Sequence, residues 1–247
     1  MHIDIDAIIF DCDGTLVDSE DTALDVLHQV LLSKGGHFPK ETIHRQFRGV
    51  PMAHCVAWIA GQLGQLSPQF QQELTREVRQ ITEQRFRQGL KALPGAEELL
   101  SRLKIPFCVA TNGPREKVEL TLGLAGLRPL FGQRVFSAYE VGSFKPAPGL
   151  FLCAAEALGV MPQRCAVVED SLTGVQAGLA AGMQVFTLHP RSTMPADLAE
   201  QVCFIENLSH LDRLLHGGSQ RIEPDARRMA GDDRGEPAFA ADVQRDA

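Results

Sequence analysis

Basic excess is the first thing missing from this sequence. Its 247 residues carry 24 Lys and Arg against 31 Asp and Glu, a formal net charge of −7. Nucleic acid calls for a basic surface, so no nucleic-acid partner is expected. An anionic small molecule would be repelled by the global field and needs a local cation or a metal to draw it in. Long apolar runs are missing too. None approaches the roughly 18–20 residues that cross a bilayer, so no membrane association is expected. Residues 1–10 hold three titratable side chains and no basic n-region, unlike a secretory signal, and a cytoplasmic location is expected. The six cysteines (12, 55, 108, 153, 165 and 203) form no CxxC pair, and several sit in apolar runs such as 105–110 and 165–168. Buried free thiols in a reducing compartment are expected rather than zinc ligands or a disulfide framework. There are no internal repeats. No apolar surface stripe stands out, so a monomer is expected.

What is present is ordinary for a soluble globular enzyme: 44% hydrophobic and 22% charged residues, with enough chain for one or two domains. Short apolar runs at 7–10, 107–110, 134–136, 166–168 and 184–188 read as strands buried on both faces. Helical patterns at about 95–103, 114–124, 147–158 and 172–181 lie between them, several opened by Pro or Gly. This alternation predicts βαβ units, and hence an α/β fold with a Rossmann-like parallel sheet core. From 19 to 93 there is only helical periodicity, at 21–33, 53–63 and 69–86. That stretch predicts an inserted all-helical cap domain placed over the first strand's carboxyl end. The predicted division is 1–18 and 94–216 for the core, 19–93 for the cap and 217–247 for a flexible tail without a catalytic role.

Four segments at predicted strand ends carry chemistry. Asp11 and Asp13 follow the first strand, with Gly14 allowing a tight turn away. Two like charges are not buried together without compensation, although a solvated pair of aspartates at a strand end is the alternative. Thr111, Asn112, Gly113 and Pro114 lead from a second strand into a helix; they read either as an anion site of backbone N–H groups or as a plain helix cap. Lys145 is set between Phe144 and Pro146, and alone it also reads as a surface lysine. Glu169 and Asp170 close another apolar strand. Four carboxylates in one crevice need a cation, and oxygen-only ligands favour Mg²⁺ over zinc. With Lys145, Mg²⁺ would bring three positive charges, enough to host a phosphoryl group as well.

The order of these segments resembles the haloacid dehalogenase-like hydrolase superfamily: an aspartate pair in DxDGT, then Thr or Ser, then Lys, then an acidic pair. Here they stand as Asp11/Asp13, Thr111, Lys145 and Glu169/Asp170, and the resemblance covers residues 5 to 190. The longer stretches FDCDGTLVDSE, TNGP, FSAYE and VEDSLTGVQAGLAAGM are similar to the helical-cap sugar-phosphatase branch that includes 6-phosphogluconate phosphatase.

The resemblance implies an Mg²⁺-dependent phosphatase acting on a small sugar or sugar-acid phosphate. Asp11 would be the nucleophile that forms an aspartyl-phosphate, and Asp13 the general acid and then base. The metal would be held by Asp11, the Asp13 carbonyl and Asp170, with Glu169 a direct ligand or acting through water. Thr111, Asn112 and Gly113 would hold phosphoryl oxygens, and Lys145 would neutralise Asp11 and the phosphoryl group. Arg48, in a cap loop, would meet a sugar hydroxyl or carboxylate; a solvated helix-end charge is the alternative. Arg76 and Arg79 are weaker candidates, and His54 is expected to pack within the cap. A phosphomutase of the same superfamily, β-phosphoglucomutase-like, is the rival reading. A dehalogenase is disfavoured because halide needs no acid such as Asp13.

Overall fold

The computed structural model describes residues 5–216 apart from 49 and 51. The expected tail at 217–247 lies outside the described residues. The chain enters β1 (Ala7–Phe10) and then four helices, α1 (Glu20–Ser33), α2 (Lys40–Phe47), α3 (Met52–Gln62) and α4 (Pro68–Gly89). Next come α5 (Ala96–Arg102), β2 (Phe107–Thr111), α6 (Arg115–Leu124), α7 (Arg128–Phe131), β3 (Val135–Ser137), α8 (Ala138–Val141) and α9 (Gly149–Leu158). The last elements are β4 (Cys165–Glu169), α10 (Leu172–Ala180), β5 (Gln184–Thr187), α11 (Ala196–Ala199), β6 (Cys203–Phe204) and α12 (Leu208–His216).

The six strands form one sheet in the order β3-β2-β1-β4-β5-β6, and every adjacent pair is parallel. Helices on both faces explain why all four residues of β1 are apolar and buried. Alternate residues serve opposite faces. Ala7 and Ile9 join Cys108, Ala110, Cys165 and Val167 against Phe151 and Ala154 of α9 and Val175 of α10. On the other face Phe10 meets Phe107 edge-on at 6.4 Å, and Phe107 meets Phe131 of α7 at 5.5 Å. The strand order reverses beside β1, because β2 and β3 lie to one side and β4 to β6 to the other. At such a switch point the crevice beyond the carboxyl ends of the strands takes the ligand.

The insertion between β1 and β2 is wholly helical and has its own apolar cluster. Leu24, Leu27 and Leu31 of α1, Ile43 and Phe47 of α2, Val56 and Ile59 of α3, and Leu74 and Val78 of α4 are buried together. Trp58 anchors one side, its ring 4.9 Å from Phe38 and 5.1 Å from Phe47. Its two connections to the sheet run side by side: Asp18 N–H donates to the Lys91 carbonyl (3.0 Å) and Leu93 N–H to the Leu16 carbonyl (2.9 Å).

The strand read at 134–136 is placed one residue later, at Val135–Ser137, since Arg134 is already a turn whose N–H donates to the Phe131 carbonyl. The periodicity gave no warning of β6, a two-residue edge strand, or of α7, α8 and α11, each a single turn. No helix among the described residues is long and apolar enough to cross a membrane. The six cysteines are free thiols, four of them buried.

Candidate active site

Asp11 sits one residue beyond β1, where its N–H donates to the Val168 carbonyl of β4 (2.9 Å) and prolongs the ladder into the crevice. Lys145 Nζ lies 2.5 Å from Asp11 Oδ1 and 2.5 Å from Glu169 Oε1. The lysine side chain is only 2% exposed, and its ammonium also lies 4.9 Å from the Phe151 ring. Burial works against its charge, but Asp11 and Glu169 outweigh burial and hold it above the usual lysine range.

Glu169 is fully buried, and its second oxygen caps the turn into α10. Oε2 accepts from the N–H groups of Asp170 (3.1 Å) and Ser171 (3.0 Å) and from the Ser171 hydroxyl (2.8 Å). Gly174, in the first turn of α10, makes room for this carboxylate. A Cβ there would lie 1.9 Å from its Cδ and Oε1. Asp170 accepts from the Thr15 hydroxyl at 3.1 Å, and Gly14, at φ +76°, would carry a Cβ 2.1 Å from Asp170 Oδ2. The His189 ring holds the Asp170 carbonyl through Nδ1 at 3.0 Å.

Oxygens of Asp11, Glu169 and Asp170 lie within 4.8 Å of one another. Among the described residues Asp11 Oδ2 and Asp170 Oδ2 accept no protein hydrogen bond, whereas both oxygens of Glu169 are engaged. A hard, oxygen-only donor set with two outstanding acceptors suits a small divalent cation such as Mg²⁺. The electrostatics agree. With no cation bound, Asp11 is pushed up to about 7, first by burial, then by Glu169 and Asp13, against the pull of Lys145. Asp170 is raised well above the usual range by burial and by the charges of Glu169, Asp11 and Glu20.

A testable consequence follows from these raised carboxyls. Each binds more protons folded than unfolded, so it removes stability as pH rises above the usual carboxylate range, for Asp11 through about 7. Asp11→Asn is expected to flatten that slope, so that its metal-free melting temperature falls less than the wild type's between about pH 5 and about pH 8. Thermal scans with and without chelator at several pH values measure it. A variant that keeps the wild-type slope with pH in chelator contradicts the assignment.

Asp13 has different neighbours. Ser19 Oγ donates to its Oδ1 (2.7 Å) and Lys117 Nζ to its Oδ2 (2.7 Å). Burial would raise it, but Lys117 and Ser19 together hold its carboxyl below the usual range. Thr111 is buried at the end of β2, and its hydroxyl accepts the Gly113 N–H at 3.0 Å, so that N–H, read as a phosphate donor, starts out engaged. The Asn112 side chain clamps the main chain of Lys145: Oδ1 accepts its N–H (2.9 Å) and Nδ2 donates to its carbonyl (3.3 Å). Ser137, fully buried, donates to the Gly113 carbonyl at 2.7 Å and completes the scaffold.

The structure thus brings Asp11, Asp13, Thr111, Asn112, Gly113, Lys145, Glu169 and Asp170 to one end of one sheet. Arg48 is placed on the insertion, donating to Glu20 (3.0 Å) and paired with Asp21 at the start of α1. His54 is exposed on α3, not packed inside, because the buried face of that helix is made by residues 55, 56, 59 and 60 with Met52 and Trp58 at its edges. Sequence reasoning gave no place in the site to Lys117, Ser171 or Gly174, and took Thr15 and Ser19 only as part of the stretch that resembles the hydrolase form. Only Lys117 carried a readable signal, being three residues after Pro114 and so in the first turn of α6.

Residues 5–182 match the family model described as haloacid dehalogenase-like hydrolase. The chain is 34% identical over 184 residues to 6-phosphogluconate phosphatase of Escherichia coli, covering 74% of this chain and 81% of that protein. It is also 34% identical over 220 residues to hexitol phosphatase A of the same organism, covering 86% and 91%. Among solved structures, a putative beta-phosphoglucomutase from Thermotoga maritima superposes with a TM-score of 0.70 at 28% identity, covering 85% and 99%.

Proposed function

Because the chain belongs to the haloacid dehalogenase-like hydrolase family, we propose that it is a phosphoric monoester hydrolase for a small sugar or sugar-acid phosphate. The observation that carries this reading is Lys145, buried between Asp11 and Glu169 at the carboxyl end of the sheet. A lysine so placed neutralises Asp11 and Glu169 together and holds the Asp11 carboxylate in place for attack at the carboxyl end of the sheet. Asp11 would displace the alkoxide from phosphorus and become an aspartyl-phosphate. Asp13 would give the alkoxide its proton, then take one from the water that releases phosphate. Asp11, Asp170 and the Asp13 carbonyl would hold Mg²⁺, with Glu169, whose oxygens also engage Lys145 and the β4–α10 turn, a direct ligand or acting through water. The ion would supply charge neutralisation for the transferring group. Thr111, Asn112 and Gly113 would receive phosphoryl oxygens, Gly113 by releasing its N–H from Thr111.

Helices α1 to α4, at 19–93, act in this reading as a cap domain that limits water and selects the substrate, while 1–18 and 94–216 form the catalytic core. Arg48 would leave Glu20 and Asp21 to meet a carboxylate or hydroxyl of the substrate. The relatives named for 6-phosphogluconate and hexitol phosphates support that substrate class. The structural likeness to a putative beta-phosphoglucomutase supports a second reading, in which a sugar rather than water takes the phosphoryl group.

A phosphate-release assay with Mg²⁺ over phosphorylated sugars and sugar acids, including 6-phosphogluconate and β-glucose 1-phosphate, tests both. A hydrolase releases phosphate without a bisphosphate activator, whereas a mutase requires one and produces an isomer. Asp11→Asn is expected to lose about 10⁴-fold or more in kcat. Retained activity in that variant would falsify the mechanism.

A further inference from the structure

Two lysines share the acids of this crevice. Lys145 is consumed by Asp11 and Glu169. Lys117, 104 residues from Asp13 in the sequence, bonds Asp13 alone among the described residues. Its placement is not what a helix prefers: it lies in the first turn of α6, where the macrodipole disfavours a cation. Nor does stability account for it. The two side chains are 39% and 26% exposed, and a partly solvated ion pair contributes little to folding. The approach is also built into the fold. A Cβ on Gly113 would lie 3.7 Å from Lys117 Cδ, 3.8 Å from Asp13 Oδ2 and 3.5 Å from Thr111 Oγ1, so the lysine stem crosses over the glycine to reach the carboxylate.

We propose that Lys117 is a positioning residue for Asp13, which with Ser19 fixes the carboxylate plane at the mouth of the crevice so that it faces the leaving oxygen and then the incoming water. The inference rests on the reading of Asp13 as acid and base given above. Ser19 and Lys117 each donate to a different oxygen of Asp13, which fixes the torsion of the side chain. Each carboxylate oxygen has two lone-pair directions, so one stays open on each after both bonds are made. Lys117 has no acceptor and cannot compete for the transferred proton. In the release step the water O–H bond breaks and its proton passes to an open lone pair of Asp13. The water oxygen bonds phosphorus as the phosphorus–Asp11 bond breaks, and that electron pair returns to the Asp11 carboxylate.

The test compares wild type, Lys117→Met, Lys117→Arg, Asp13→Asn and the double variant Asp13→Asn/Lys117→Met. The probes are p-nitrophenyl phosphate and the best sugar phosphate of the panel, each with Mg²⁺. Lys117→Met is expected to lower kcat on the sugar phosphate by roughly tenfold or more with KM within about threefold, and to melt within a few degrees of wild type. The loss should be smaller on p-nitrophenyl phosphate, whose leaving group needs less help from a proton. Lys117→Arg should recover most of the rate. In the Asp13→Asn background the lysine change should add less than about twofold, since a residue acting through Asp13 has nothing left to position. A multiplicative loss in the double variant, a change confined to KM, or no loss in Lys117→Met each overturns the proposal. If Asp13→Asn itself is as active as wild type, the acid–base reading falls and takes this one with it. If Asp13→Asn is inactive and Lys117→Met is not, the reading stands and only Lys117 is dismissed.

Discussion

Lys145→Met is expected to cost the protein much of its stability at neutral pH together with at least about 10³-fold in kcat. Methionine fills a similar volume beside Phe151 but leaves Asp11 and Glu169 facing each other without a cation. Removing one partner of a buried ion pair typically costs about 3–5 kcal/mol, because the remaining charge keeps its desolvation penalty. In a chain of this length that corresponds to a melting temperature lower by roughly 10 °C. The abandoned carboxyls can escape part of the cost by binding a proton. The deficit should therefore shrink as pH falls and grow as pH rises, the sign expected of groups whose folded pKa is raised. The rate loss has a separate cause, since the variant has no fixed positive charge to hold Asp11 and meet the phosphoryl oxygens. Thermal melts across pH and phosphate release at saturating substrate measure the two effects. A variant within tenfold of wild type in kcat would remove Lys145 from the mechanism.

Gly174→Ala is the second change with a large expected effect, and its direction is the reverse of what helix propensity alone gives. In an unobstructed helix the change would gain about 0.5–1 kcal/mol. At 174 the new methyl would stand 1.9 Å from the Glu169 carboxylate, which cannot retreat because Lys145, the Ser171 hydroxyl and two backbone N–H groups hold it from other sides. Either α10 lifts from the sheet or Glu169 turns out of its seat. We expect a loss on the order of 2–4 kcal/mol and a fall in kcat of about 10²-fold, as Lys145 and Asp11 lose their alignment. Gly61→Ala in α3, where nothing lies within 4 Å of the added Cβ, is the matched control and should be neutral or slightly stabilising. Equal effects at the two positions would show that the contact with Glu169 is irrelevant.

The parts of this architecture that were legible in the sequence are those written in local pattern. β1, β2 and β4 are buried on both faces and so appear as apolar runs, each closing on or followed by a polar residue at the same end of the sheet. The acids and the threonine could be named because they stand at those ends, and Lys145, which the structure places in the loop between α8 and α9 rather than at a strand end, through the order of the segments. Contacts made across a hundred residues leave no such trace. Nothing in the spacing said that Lys117 would cross Gly113 to Asp13, that Ser19 would take the other oxygen, or that Gly174 marks the seat of Glu169. Asn112 was legible as a site residue but not in its side-chain role, which is to grip the backbone of Lys145. β6 and the single-turn helices escaped for a simpler reason, since two to four residues cannot display a period.

The doubly buried central strand has one more consequence. A strand with one wet face advertises its alignment by alternating polar and apolar residues, but Ala7–Phe10 is apolar throughout and would slide by one residue against β2 or β4 at little hydrophobic cost. Only its ends carry marks. Asp6, paired with Arg164 through Oδ1 at 2.8 Å, is exposed and holds one side only weakly; Asp11, buried and held by Lys145, pins the other. The reacting carboxylate thus doubles as a punctuation mark for the folding chain.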